Sequence, residues 1–277
     1  MPLSGLTDAG PPARLGVLGW PVSHSRSPQM HRAAFAALHM YDWSYQLLPA
    51  PPELFVEIVA ALGPAGFVGA NVTVPHKHAA LQIADIASET ARAIGAANTL
   101  SFNADGTVAA ENTDAPGLIA AIGPQPAGRR AVVLGAGGTA RAAAWALREA
   151  GLEVAVWNRS PERARELADA LGVAVLERPG TAQLLVNATT VGMDGGRGID
   201  EVLSTLALDS DVLARYEQVV DFAYSRSTTA LLTAARRLGV QTVDGLDILA
   251  AQGGLSFELW TGRPAPLSVM REAAEAG

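Results

Sequence analysis

Residues 132–141, Val-Val-Leu-Gly-Ala-Gly-Gly-Thr-Ala-Arg, constrain this chain more than any other stretch. A short apolar run passes into glycines at the first and third places of a G-x-G-x-x-A turn, and an alanine-rich helical segment follows. Gly135 permits a tight turn, Gly137 leaves a phosphate room to approach the backbone, and Ala140 is small enough for close helix–strand packing. Ala136, Gly138 and Thr139 complete the turn. A helix N-terminus there offers unpaired N–H groups and a partial positive charge to an anion. The turn reads as a seat for a dinucleotide pyrophosphate, against the plainer alternative of a bare strand–helix connection.

The surroundings favour the seat. A helical pattern runs through residues 141–150 to Gly151, and an apolar strand at 153–157 completes a βαβ unit. Where an NAD-binding unit carries an acidic residue for the ribose 2′-hydroxyl, this chain has Asn158-Arg159-Ser160, with Arg163 one turn on. No carboxylate there repels a 2′-phosphate, and two guanidiniums can grip one. A solvated helix start is the other reading of Arg159 and Arg163, but cations are disfavoured at that end of a helix. NADP matches the segment better than NAD.

The same alternation extends through the chain. Strands are expected at residues 14–18, 42–48 and 66–74, helices at 28–40, 52–62 and 75–87, and a hairpin at 96–103 and 107–111 about Asp105-Gly106. Ser27 is the expected N-cap of the first helix, with Pro28 at its first position. A helix follows Asp114, and Gly123-Pro124-Gln125-Pro126 breaks the chain before the glycine-rich strand. Further strands fall at 184–187, 218–222 and 241–243, with a helix at 246–261 and another near the C-terminus. Repeated βα units predict parallel sheets covered by helices on both faces, in an α/β fold of two domains with a cleft between them.

Composition narrows the partners. The 277 residues suffice for one large or two medium domains, and a net charge of −7 without a basic stripe argues against nucleic acid. The absence of cysteine excludes disulfides, thiolate metal sites and a thiol nucleophile, and fits a reducing cytoplasm. No apolar run is long enough to cross a bilayer, and residues 1–14, rich in Pro and Gly, read as a frayed leader rather than a signal peptide. His76 and His78 flank Lys77, which repels a cation, while His24, His31 and His39 lack ligand spacing. No metal site is expected.

Three polar segments can carry chemistry. Asn71 and Thr73 alternate with valines and project from one strand face, and Pro75 starts a helix with Lys77 in its first turn. That is the unfavourable end of the helix dipole for a cation. Lys77 is either a surface lysine or an amine set for proton transfer. Asp114, before Ala-Pro, is either an N-cap or a functional carboxylate. Ser27 has a capping duty and Ser25 has none, so the two hydroxyls together can bind a small carboxylate.

Taken together, the segments SHSRSPQMH, GANVTVPHK, GAANTL, NTD, VLGAGGTARA, NRS, NATTVGM and DGLDILAAQ occur in the order seen in shikimate dehydrogenases, and nearly the whole chain resembles that family. The resemblance implies NADP-dependent, reversible reduction of 3-dehydroshikimate to shikimate, in the route to aromatic amino acids. It implies an N-terminal substrate domain (residues 1–113, completed by 248–277) and a Rossmann-type NADP-binding domain (114–247), with the C-terminal helices packing back on the first. Lys77 and Asp114 would form the catalytic pair. Ser25 and Ser27 would bind the substrate carboxylate, and Asn71, Thr73, Asn98, Asp114 and Gln252 the ring hydroxyls, with Tyr224 at the junction with the nicotinamide. Gly135, Ala136, Gly137, Gly138, Thr139, Asn158, Arg159, Ser160, Arg163, Thr189, Phe222 and Gly245 would hold NADP. The partner is then a small molecule, with no nucleic acid and no membrane, in a cytoplasmic monomer or homodimer. Departures from the family pattern are Ala115-Pro116 after the aspartate, Asp247 near the substrate pocket, and Arg226-Ser227 after Tyr224. The rival readings are a quinate or aminoshikimate dehydrogenase with relaxed cofactor use, and a non-catalytic ligand sensor. Asn158-Arg159-Ser160 weighs against NAD use, and intact Lys77 and Asp114 weigh against a sensor.

Overall fold

Short apolar runs become strands and runs with helical spacing become helices, in two successive sets. A computed structural model describes residues 12–193, 195–225 and 228–277. The first set comprises β1 (Ala13–Gly19), α1 (Ser27–Ala37), β2 (Trp43–Pro49), α2 (Phe55–Leu62), β3 (Phe67–Val72), α3 (Lys77–Gln82), β4 (Ile86–Ala87), α4 (Glu89–Ile94), β5 (Thr99–Phe102) and β6 (Val108–Glu111). The second comprises α5 (Asp114–Ile122), β7 (Arg130–Leu134), α6 (Gly138–Glu149), β8 (Glu153–Trp157), α7 (Pro161–Leu171), β9 (Ala174–Val175), β10 (Leu184–Asn187), α8 (Ile199–Thr205), α9 (Ser210–Leu213), β11 (Gln218–Asp221), α10 (Ala230–Arg237) and β12 (Gln241–Val243). Helices α11 (Gly245–Thr261) and α12 (Leu267–Ala276) close the chain. Residues 1–11 of the expected leader and Arg226-Ser227 lie outside the described residues. Ala13, read as part of that leader, already belongs to β1, and Arg14, the expected start of the strand, lies one residue in.

The second sheet is parallel throughout, in the order β12-β11-β10-β7-β8-β9. This is the doubly wound arrangement, whose ligand crevice lies where strand order reverses. Here that point falls between β7 and β10, and the glycine-rich turn leaves β7 beside it. Alternation along β7 fills both faces: Ala131 and Val133 pack with α6 and α7, and Val132 and Leu134 with α8 and α10.

The first sheet runs β2-β1-β3-β5-β6-β4 and is mixed, which corrects the expectation of parallel sheets in both domains. Strand β5 is antiparallel to both neighbours, and a tight turn with Gly106 at φ 87° joins it to β6 as a hairpin. Leu15 and Val17 on one face pack against α1, α11 and α12, so the last two helices return to the first sheet. Leu18, Ala70, Val72 and Leu100 face α2 and α3 on the other side.

The helix expected at 75–87 is also corrected. It stops at Gln82, and Ile86–Ala87 pairs with β6. The Asp85 N–H donates to Val108 O at 2.9 Å, and Asp85 Oδ2 accepts the Val108 N–H at 2.8 Å. These non-local bonds override the local helical pattern. Ser88 then caps α4 by accepting the Ala91 N–H at 3.0 Å.

Candidate active site

Strand β3 ends at Val72, the His76 N–H turns back to Thr73 O at 3.0 Å, and α3 opens on Lys77. This junction holds Lys77 at 8 % exposure. Its Nζ donates to Asp114 Oδ2 at 2.6 Å and to Thr139 Oγ1 at 2.8 Å. Asp114, 6 % exposed, is the first residue of α5 and not its cap. The N-cap position is Thr113, and Asn112 Oδ1 accepts the Ala115 N–H at 3.2 Å. That local bond frees the Asp114 carboxylate to face Lys77.

Asn98 is the hub of the polar network beneath the pair. Its two amide N–H groups are shared among three acceptors, Asp114 Oδ1 at 2.9 Å, Gln252 Oε1 at 3.1 Å and Thr113 Oγ1 at 3.0 Å, and its Oδ1 accepts the Thr113 N–H at 2.7 Å. Asn71 Oδ1 accepts the Tyr45 hydroxyl at 2.7 Å, and its amide donates to Thr99 Oγ1 at 3.2 Å. Tyr45 lies stacked on His31, with ring centroids 4.2 Å apart. Burial raises the Tyr45 phenol well above its ordinary value and lowers the His31 imidazole to about 3. Neither His31 nitrogen has a hydrogen-bond partner among the described residues.

The serine segment corrects the expected capping. Ser27 is the first residue of α1, and Arg26 occupies the N-cap position. Ser25, read as having no local duty, accepts the Ser27 N–H at 3.3 Å. Burial pushes the Tyr224 phenol up, and the Ser25 hydroxyl and Arg26 backbone beside it offset part of that rise. Arg26 bridges the lobes: it donates to Ala274 O at 2.7 Å and Ser225 O at 2.8 Å, with its guanidinium 5.9 Å from the Tyr224 ring centre.

A cavity of about 550 Å³ lies between the two sheets. It gathers Ser25, Ser27, Asn71, Thr73, Lys77, Asn98, Asp114 and Gln252 with Thr139, Thr189, Phe222, Tyr224 and Gly245. Trp20, His24 and Met193 also line it and were not singled out in the sequence, though His24 and Met193 fall inside matched segments. Tyr45, Thr113, Asn187 and Asp221 support it from behind. Thr113 and Asn187 belong to matched segments; nothing local marks Tyr45. Asn187 Oδ1 accepts the Thr189 hydroxyl at 2.7 Å, and Asn187 donates to Asp221 at 2.8 Å. Burial pushes the Asp221 carboxyl up to about 7, against the opposing hydrogen bonds from Thr229, Ala223 and Asn187.

Gly135, Ala136, Gly137, Gly138, Asn158, Arg159, Ser160 and Arg163 are not part of this lining. They follow the C-terminal ends of β7 and β8 in the second sheet. Gly135 has φ 117°, and a Cβ there would come within 3.1 Å of Ala188 O. A Cβ on Gly137 would meet nothing within 4 Å, leaving open space over the N-terminus of α6. At Gly138 it would lie 2.7 Å from Lys77 Cβ. Arg159 and Arg163 are exposed and make no hydrogen bond or ion pair among the described residues. Asn158 donates to Ser160 O at 3.0 Å, and the Ser160 hydroxyl to Glu162 at 3.0 Å. Open space over a helix N-terminus and unpaired cations one strand away fit a phosphorylated dinucleotide.

Asp247 does not add charge to the cavity. It is exposed and paired with Arg271 of α12 at 2.6 Å, because its place on α11 faces that helix. His76 bonds Ala50 O at 2.7 Å and His78 bonds Gly95 O at 2.9 Å, so each has a local structural partner. Among the described residues no His, Cys, Asp or Glu group is arranged to hold a metal ion.

Fold and site define a two-domain α/β protein in which a doubly wound, dinucleotide-type sheet faces a polar crevice holding a buried ammonium–carboxylate pair. Three family models match: the shikimate dehydrogenase substrate binding domain over residues 17–100, shikimate / quinate 5-dehydrogenase over 118–189, and the shikimate 5'-dehydrogenase C-terminal domain over 245–275. The chain belongs to the shikimate dehydrogenase family. It is 43 % identical to the shikimate dehydrogenase (NADP(+)) of Methylobacterium radiotolerans, covering 94 % of this chain and 95 % of that one. A Thermus thermophilus protein of the same name is 43 % identical, covering 94 % and 97 %. The crystal structure of shikimate 5-dehydrogenase from Thermus thermophilus, in complex with NADP(H) and shikimate, superposes with a TM-score of 0.84 at 42 % identity, covering 95 % of this chain and 99 % of that one.

Proposed function

We propose that the protein is an NADP-dependent shikimate dehydrogenase, which interconverts shikimate and 3-dehydroshikimate. The observation that carries this reading is the buried Lys77–Asp114 pair, which lines the cavity and touches the nucleotide-side loop through Thr139. Bound NADP accepts a hydride from the ring carbon, and NADPH returns one. As hydride reaches the carbonyl carbon, negative charge grows on its oxygen, and the Lys77 ammonium against that oxygen stabilises it and supplies the proton. In the reverse direction the neutral amine takes the hydroxyl proton. Asp114 holds the ammonium in place throughout.

Ser25 and Ser27 bind the carboxylate, and Tyr224 lies at the junction of substrate and nicotinamide. Asn71, Thr73, Asn98, Asp114 and Gln252 take the ring hydroxyls. Backbone groups of the Gly135-Ala136-Gly137-Gly138-Thr139 turn hold the pyrophosphate, and Asn158, Arg159, Ser160 and Arg163 the 2′-phosphate. Thr189, Phe222 and Gly245 frame the nicotinamide. In this reading residues 1–113 and 248–277 form the substrate domain and 114–247 the NADP domain. The enzyme works in the cytoplasm as a monomer or homodimer, without nucleic acid. Among the described residues no helix is long and apolar enough to cross a membrane.

The test is reduced-nicotinamide absorbance with shikimate or quinate, each with NADP or NAD. Shikimate with NADP is expected to give the highest kcat/KM. No turnover in any of the four combinations refutes the reading and favours a ligand sensor.

A further inference from the structure

A lysine ammonium has three N–H donors and no acceptor. In Lys77 one is taken by Asp114 Oδ2 at 2.6 Å and a second by Thr139 Oγ1 at 2.8 Å, which leaves a single donor for a reacting oxygen in the cavity. The two partners come from different helices of the second set. Asp114 opens α5, whereas Thr139 belongs to the glycine-rich turn at the start of α6, 62 residues from Lys77 in sequence. The lysine stem reaches this turn only because Gly138 carries no Cβ; one there would sit 2.7 Å from Lys77 Cβ. Lys77 is therefore packed against the very turn to which a pyrophosphate seat is assigned.

We propose that Thr139 is a positioning residue for the Lys77 ammonium, so that the lobe holding the cofactor also fixes the rotation of the proton donor. The proposal rests on the functional reading above and adds a role that pyrophosphate binding does not require. A hydroxyl both donates and accepts. While Lys77 is an ammonium, Thr139 Oγ1 accepts from it. Once the proton has passed from Nζ to the substrate oxygen, the amine lone pair faces that oxygen and the remaining N–H groups still run to Asp114 and to Thr139 Oγ1. No proton travels through Thr139; it pairs with Lys77 in both states and keeps the nitrogen aimed. A side chain that only filled space, or only touched phosphate, would not do this.

Valine has the shape of threonine without the hydroxyl, and serine keeps the hydroxyl without the methyl. The experiment measures kcat, and KM for NADP and shikimate, in Thr139→Val, Thr139→Ser, Lys77→Ala and the double variant Thr139→Val/Lys77→Ala, with thermal unfolding of each. Loss of a hydrogen bond to a charged group is expected to lower kcat about tenfold in Thr139→Val, with Thr139→Ser within about threefold of the unmodified enzyme. In the Lys77→Ala background Thr139→Val should cost nothing further, because the group it acts through is gone. An equal fold-loss in both backgrounds, a loss confined to KM for NADP, or an unchanged kcat in Thr139→Val overturns the proposal. Absence of activity in the unmodified protein would instead count against the functional reading itself.

Discussion

Replacing Asp114 by Asn removes one charge and almost no volume from the centre of the proposed site. Asp114 Oδ2 accepts Lys77 Nζ at 2.6 Å while Oδ1 accepts the Asn98 amide at 2.9 Å. An asparagine offers one carbonyl oxygen to these two donors, so its own NH2 must face either the ammonium or the amide. One bond is lost, and a donor is set against a donor. With Lys77 and Asp114 only 8 % and 6 % exposed, water does not make good the loss. Breaking a buried pair from one side costs about 3–5 kcal/mol. If about 2–4 kcal/mol of that appears in the transition state, kcat falls about 30- to 1000-fold, at ~1.36 kcal/mol per decade. KM for shikimate should rise by less than kcat falls, since the proposed carboxylate contacts of Ser25 and Ser27 are untouched. The assay is initial rate by reduced-nicotinamide absorbance at saturating shikimate and NADP, with thermal unfolding to establish that the variant is folded. A folded Asp114→Asn enzyme with kcat within about threefold of the unmodified one would refute the reasoning.

Three further outcomes follow from separate parts of the molecule. Arg159→Ala should raise KM for NADP about 10- to 100-fold and leave KM for NAD nearly unchanged, since a charge-assisted bond to the 2′-phosphate is worth about 1.5–3 kcal/mol; equal losses for both cofactors would withdraw that assignment. His31 is buried with its pKa at about 3 against an ordinary 6.5, so the unfolded chain takes up the proton first as pH falls. Its contribution to stability is present above pH 6.5 and lost progressively toward pH 3. His31→Phe keeps a ring against Tyr45 and removes this titration. By urea unfolding, the unmodified protein should lose about 3 kcal/mol more than the variant between neutral pH and two units below the histidine's ordinary value, and parallel losses would contradict the argument. Gly138→Ala should lower kcat about tenfold without unfolding the protein, because the added Cβ displaces the Lys77 stem; an unchanged kcat would mean the stem shifts freely.

Much of the fold was legible because buried parallel strands are short apolar runs between turn signals. The strands Glu153–Trp157, Leu184–Asn187 and Gln241–Val243 fall where their residues predict. Prediction fails where distant partners decide the outcome, as when Ile86–Ala87 leaves a helical pattern to pair with β6. In the candidate site, sequence spacing identifies chemistry-bearing side chains but not what each one touches. Asp114 looks like a helix cap, yet Asn112 supplies the local bond and frees the carboxylate for Lys77. Ser25 looks free and is engaged at the start of α1. Tyr45 reaches Asn71 from a neighbouring region of the same sheet, and Lys77 meets Thr139 across the crevice, so neither contact has a local signature.

The central claim is that one ammonium, held between the two lobes, carries the proton that accompanies hydride transfer. Lys77→Ala tests it most directly, through kcat and KM for shikimate measured with saturating NADP. The account predicts a fall in kcat of about 100-fold or more with KM changed by less than about tenfold. Turnover by this variant at the unmodified rate would contradict it.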